Sequence, residues 1–259
     1  MNEYQEADKA ARSRTFHTFF FPVTFIVLLW LIKISEIVFS YPLYNFGVYP
    51  RHLKGVVGVF TAPLIHGDFG HLISNSVPLF VLGSGLFYYY RTVAYKIFFM
   101  ILFATGFWVW VSARPSYHIG ASGVVYGLAS FMFLSGVIKK NLSLAAFALV
   151  VVFLYGNMIW GVLPVLPHVS WESHLLGAMA GVVMALYYKH EGPQKTTYLW
   201  ETENEEEIAE HTADSNTESN NDEVENTDEE KIIQTQNQHY QIKYSFKPRE
   251  MNDDSAEKS

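Results

Sequence analysis

Six mostly apolar runs of 17 to 23 residues, separated by charged or turn-forming punctuation, occupy most of the first 189 positions. They run from Thr18 to Ser40, His71 to Tyr90, Tyr95 to Ala113, Ser122 to Ile138, Ser143 to Pro164 and Trp171 to Tyr188. A bilayer core of roughly 30 Å takes about 20 apolar residues as a helix, and a continuous apolar run must satisfy its backbone within the segment. These runs therefore predict an all-α, polytopic membrane protein with a six-helix bundle over 18–189. The first run is too long for a signal-peptide apolar region and lacks a small-x-small cleavage site after it, so it reads as a retained span. Lys33 and Glu36 lie near its far end at i,i+3, where they are expected to pair on one face or to snorkel to the interface.

Charge divides the chain in two. Residues 1–189 hold 12 Lys and Arg against 6 Asp and Glu, and residues 190–259 hold 6 against 19, so balances of +6 and −13 make up the net −7. The acidic segment is rich in Glu, Asp, Asn and Thr and poor in apolar residues. It is expected to be a disordered tail that binds neither anionic lipid nor nucleic acid, with Tyr240 to Pro248 as a solvated stretch within it. Among the short connections, Lys9, Arg12, Arg14, Arg91, Lys96, Lys139, Lys140, Lys189 and Lys195 fall on one side, and Arg51, Lys54 and Arg114 on the other. The positive-inside rule then places the 1–17 segment and the tail in the cytoplasm, and the long connection from Tyr41 to Gly70 outside.

Polar residues within spans are costly, so their depth is informative. At about 1.5 Å per residue, Asn75 lies roughly 24 Å above Arg91, Ser122 roughly 25 Å above Lys139 and His174 roughly 22 Å above Lys189. Three helices thus carry polar side chains at one level, near the outer face. His71 and Asn75 share a helix face at i,i+4, as do Ser122 and Tyr126. His174, Gly177 and Gly181 form one stripe whose glycines admit a close neighbour, and Gly120 and Gly123 flank Ser122 on the expected partner.

A serine hydroxyl becomes nucleophilic when a base takes its proton, and neutral histidine suits that task. Ser122 begins a predicted helix, so its N–H belongs to the unpaired donors of the first turn, where an oxyanion is stabilised. His71 and Asn75 can add side-chain donors. This chemistry needs no cofactor and no metal.

Competing readings have less support. His66, Asp68, His71 and His174 could ligate a metal, but no His-Glu-x-x-His occurs and a five-residue separation is awkward on a helix. No aspartate lies inside a span for aspartyl chemistry, and Asp68 reads as a turn or cap residue. With no cysteine in the chain, thiolate chemistry and disulfides are excluded. A transporter would place its polar cluster at mid-membrane and carry internal repeats.

Three motifs together resemble the rhomboid family of intramembrane serine proteases. They are His66-x4-His71-x3-Asn75, Gly120-Ala121-Ser122-Gly123-x2-Tyr126 and Ser173-His174-x2-Gly177-x3-Gly181, and the resemblance extends over about 47–188. It implies Ser122 as nucleophile and His174 as general base. It also implies an oxyanion hole from His71, Asn75 and the Ser122 amide, and Tyr126 stacked on His174. His66 would anchor the outer loop, Gly177 would admit the close approach, and the partners would be transmembrane substrate proteins cut near the outer face of the plasma membrane. Asn157, at about the height of Ser122 in the fifth run, is expected either to make a plain interhelical hydrogen bond or to line the substrate route beside Trp160. Many bacterial members have a Trp-Arg pair in the outer loop, whereas Gly47-Val48-Tyr49-Pro50-Arg51-His52 here has no tryptophan. A rhomboid-like pseudoenzyme that binds membrane clients without cutting is the alternative. Such proteins typically lose the serine or the histidine, and both are kept here.

Overall fold

The computed structural model describes residues 3–154, 161–165 and 169–193. Its long helices are α1 (Glu3–Val38), α2 (Phe69–Tyr89), α3 (Ala94–Ser112), α4 (Ser122–Ile138), α5 (Leu142–Leu154) and α6 (Trp171–Tyr187). Asn157, Trp160 and the tail from Gln194 onward, with its Tyr240 to Pro248 stretch, lie outside the described residues.

The helices differ from the predicted runs in two places. Helix α1 begins at Glu3 rather than at Thr18, because the Ala-, Glu-, Lys- and Arg-containing stretch ahead of the apolar run has good intrinsic helix propensity. Gly161 to Val165 is a turn and not the end of a fifth span reaching Pro164. Proline removes a helix donor and glycine is costly in a helix interior, so Gly161 and Pro164 both oppose continuation there.

α4 is the central helix: it packs on α6, α5, α2 and α3, while α1 lies against α2. Leu72, Leu79 and Leu82 of α2, Ile97 and Ile101 of α3, and Leu128, Phe131 and Met132 of α4 build one buried core. Large apolar side chains also cover the outside, including Phe20, Leu31, Phe103, Phe153, Val183 and Leu186. An exterior this apolar is suited to lipid rather than water. The Thr15–Val38 part of α1, α2 and α3 are each long and apolar enough to cross a membrane. α4 and α6 have 17 residues each, about 25 Å, and so fall short of a full hydrocarbon thickness.

The connection between α1 and α2 is ordered by short helical turns at Leu43–Phe46, Leu53–Gly55, Gly58–Thr61 and Ala62–Leu64. It is tied down without the Trp-Arg pair. Val48 and His118 exchange backbone hydrogen bonds at 3.0 and 2.9 Å, and the Arg51 N–H donates to the Trp110 carbonyl at 2.9 Å. The Arg51 guanidinium reaches the Ala113 carbonyl at 3.3 Å, just past the carbonyl end of α3, where a cation is favoured. Trp110 itself donates from Nε1 to the His52 carbonyl at 3.0 Å.

Candidate active site

Helix α4 starts at Ser122 because the chain before it turns through Gly120, whose φ of 106° is a left-handed conformation that favours glycine. The Gly120 N–H donates to the Ala62 carbonyl at 2.8 Å, and the Ala121 N–H points to His66 Nε2 at 3.4 Å. The turn ahead of Ser122 is thus held from the outer connection.

Ser122 and His174 meet across α4 and α6, with Oγ and Nε2 2.8 Å apart. The other imidazole nitrogen, Nδ1, is 2.8 Å from the Gly161 carbonyl oxygen. A carbonyl can only accept, so in the neutral ring Nδ1 carries the proton and Nε2 is the acceptor. The serine hydroxyl therefore donates to His174, which is the polarity that general-base removal of its proton requires. Tyr126 lies flat on the imidazole with centroids 4.3 Å apart and planes 9° from parallel. Its ring and the Gly161 contact together fix the orientation of His174.

Close packing brings the pair within reach. A methyl group built on Gly177 would overlap the backbone of Gly123, and one on Gly181 would overlap the Gly127 carbonyl. Ser130 Oγ donates across the same seam to the Ala178 carbonyl at 2.8 Å. Any larger residue at Gly177 would push α6 away from α4 and lengthen the Ser122–His174 contact.

On the other side, a Cβ on Gly120 would lie 2.7 Å from His71 Nε2 and 3.6 Å from Asn75 Nδ2, so both α2 side chains face the turn before Ser122. Asn75 is buried, and its Nδ2 has no hydrogen-bond partner among the described residues. Asp68 is the N-cap of α2, accepting from the His71 N–H at 2.8 Å, in line with its sequence reading. That bond is the leading cause of a carboxyl held below its ordinary range. His66 is buried in the outer connection beside the His71 ring, and burial is the main cause that lowers its pKa to about 4. The structure therefore gathers Ser122, His174, His71, Asn75, Tyr126, His66, Gly120, Gly123 and Gly177 around one region, while Gly181 lies two turns further along α6 against Gly127 and Ser130.

Spacing did not reveal three groups near this point. Gly161 contributes through its carbonyl, which no side-chain pattern signals. His118 is buried, with Nδ1 2.5 Å from Ser170 Oγ, which in turn lies 2.6 Å from Ser173 Oγ, so the α3–α4 connection is bonded to the start of α6. Arg114 reinforces that link through Glu172 at 3.4 Å and the Val169 carbonyl at 2.9 Å. Nothing in the spacing of His118 or Arg114 signals the burial or the distant partners that the structure gives them.

With this geometry in place, similarity to known proteins becomes decisive. The rhomboid domain matches residues 53–191, more than half of the chain. The chain belongs to the rhomboid family. This rhomboid is 37% identical over 175 residues to an uncharacterized protein of Mycobacterium tuberculosis, covering 63% of this chain and 72% of the relative. It is 33% identical over 191 residues to one from Mycobacterium leprae, covering 68% and 72%. A protein of Acanthamoeba polyphaga mimivirus that bears the rhomboid name is 27% identical over 175 residues, covering 64% of this chain and 90% of that one. Family membership and the apolar helices make the rhomboid an integral membrane protein.

Proposed function

We propose that this rhomboid is an intramembrane serine endopeptidase that hydrolyses peptide bonds in or next to the spans of other membrane proteins. The observation that carries the proposal is the 2.8 Å contact between Ser122 Oγ and His174 Nε2, with the opposite ring nitrogen committed to the Gly161 carbonyl at 2.8 Å. Ser122 Oγ attacks the scissile carbonyl carbon while its proton passes to His174 Nε2. The oxygen that gains negative charge is met by the Ser122 N–H at the helix start and by the His71 and Asn75 side chains. His174 then returns the proton to the leaving amine, giving an acyl-enzyme. Water, deprotonated by the same nitrogen, attacks the acyl carbon and releases Ser122.

Helical substrates hide their carbonyls in hydrogen bonds, so a segment that unwinds easily and a small residue at the cut are the features the site selects for. In the same proposal both termini are cytoplasmic in the plasma membrane, the 190–259 tail takes no part in the reaction, and the site opens outward; the distribution of Lys and Arg supports this orientation. The test is cleavage of a single-span substrate in proteoliposomes by wild type, Ser122→Ala and His174→Ala. Cleavage that persists in either variant overturns the dyad. A wild type that binds the substrate yet neither cuts it nor reacts with a fluorophosphonate is the non-cleaving pseudoenzyme instead.

A further inference from the structure

α1 packs along α2 and the Ala62–Leu64 turn, and its Phe21 and Phe25 rings also meet Phe98 of α3. Its outer face is greasy, with Leu31, Ile34 and Ile37 exposed. On its inner face, however, Lys33 is only 8% exposed. The ammonium does not snorkel away. It donates to Glu36 Oε2 at 2.8 Å, to the His66 carbonyl at 3.0 Å and to the Gly67 carbonyl at 2.9 Å. Three donors meet three acceptors, which is the full capacity of a lysine. Glu36 is in turn fixed by the Leu43 N–H at 3.1 Å, so the pair is locked at both ends.

The two carbonyls belong to the peptides immediately ahead of α2. The His66 side chain faces the Ala121 N–H, one residue before Ser122, and Asp68 caps the helix that carries His71 and Asn75. A buried ion pair is a poor way to stabilise a helix in an apolar setting, where a packed hydrophobic residue does as well or better. Its retention calls for a role in placement. We propose that Lys33 is a positioning residue for the oxyanion side of the site: by gripping the His66 and Gly67 carbonyls it sets where α2 begins and so where His71 and Asn75 point. This inference rests on the protease reading given above. Lys33 touches no reacting atom and acts only through the backbone it holds.

The test removes the pair together, as Lys33→Met/Glu36→Leu, so that no unpaired charge is left behind. Leu29→Ala, a fully buried α1 residue one turn before Lys33 whose side chain cannot hydrogen-bond the His66 and Gly67 carbonyls, is the control for general loosening of α1. In proteoliposomes, kcat is expected to fall about ten- to a hundredfold in the double variant with KM within twofold, the signature of misplaced transition-state donors. Leu29→Ala, compared at equal loss of thermal midpoint, is expected to keep its kcat. Backbone amide exchange over residues 65–72 is expected to speed up at least tenfold in the double variant and to stay unchanged in Leu29→Ala. A double variant with kcat within twofold of a cleaving wild type overturns the inference, as does unchanged exchange. A wild type that neither cleaves nor labels defeats the protease reading, and the exchange measurement then still decides whether Lys33 holds the segment.

Discussion

The two halves of the site are assembled by opposite means. Ser122 and His174 are brought together by absence of bulk: Gly123 and Gly177 let the α4 and α6 backbones touch, and no ion pair crosses that seam among the described residues. His71 and Asn75 are placed instead by hydrogen bonds and charge, through the Asp68 cap, the His66 ring and the Lys33 ammonium. The contrast follows from surroundings. Where α4 and α6 cross, bare backbone contact fixes a distance without desolvating any charge. The α2 end lies beside an irregular connection whose carbonyls need partners, so a polar strap serves both satisfaction and placement.

The strongest test of the contrast is chemical. Ser122→Ala or His174→Ala is expected to cut the cleavage rate about 10⁴-fold with an unchanged unfolding midpoint, measured on a single-span substrate in proteoliposomes. Next, Gly177→Val attacks the bare seam: overpacking of this kind costs about 1–3 kcal/mol, and the lengthened Ser122–His174 contact lowers kcat about 10²-fold. If Gly177→Val lost stability but kept its kcat, the seam would not set the dyad distance. On the polar half, Asn75→Ala is expected to lower kcat about 10²-fold at constant KM, since the proposed oxyanion site then loses one donor without loss of a packed core group. Equal loss in KM would place Asn75 in ground-state binding.

The smallest effect concerns acid. His66 has a folded pKa of about 4 against an ordinary value of 6.5. The unfolded chain therefore binds more protons between those values, and stability is full above pH 6.5 and declines as pH falls toward 4. The unfolding midpoint of wild type should drop across that window, and His66→Gln should show a shallower drop. A slope unaltered in His66→Gln would mean that another group carries the acid sensitivity.

Much of this was legible in the residues. Run length and charge punctuation indicated the helices, and the depth of Asn75, Ser122 and His174 selected the residues that meet in the structure. Gly177 and Gly181 were visible because their spacing has only one common use. The fifth apolar run extends to Pro164, past the turn at 161–165, because Gly161 and Pro164 sit inside an otherwise apolar stretch where hydropathy outweighs the turn signal. The i,i+3 spacing of Lys33 and Glu36 leaves pairing and snorkelling both open, and it carries no information about the carbonyls of His66 and Gly67 thirty-three and thirty-four positions from Lys33. The His118 and Ser170 contact is equally non-local, joining connections that are far apart in the chain.

The partner of His174 Nδ1 is a main-chain oxygen. A carboxylate in that place could be deleted by a single codon change, but no codon deletes a carbonyl. Substitution at Gly161 can only move the acceptor, and a methyl there would collide with Tyr126 and His174 before the hydrogen bond itself was touched. A scan by alanine would score that position as steric and miss its electrical part. Replacing the Gly161–Val162 amide by an ester through chemical synthesis, which weakens the carbonyl as an acceptor while leaving the shape almost intact, is the kind of edit that exposes it.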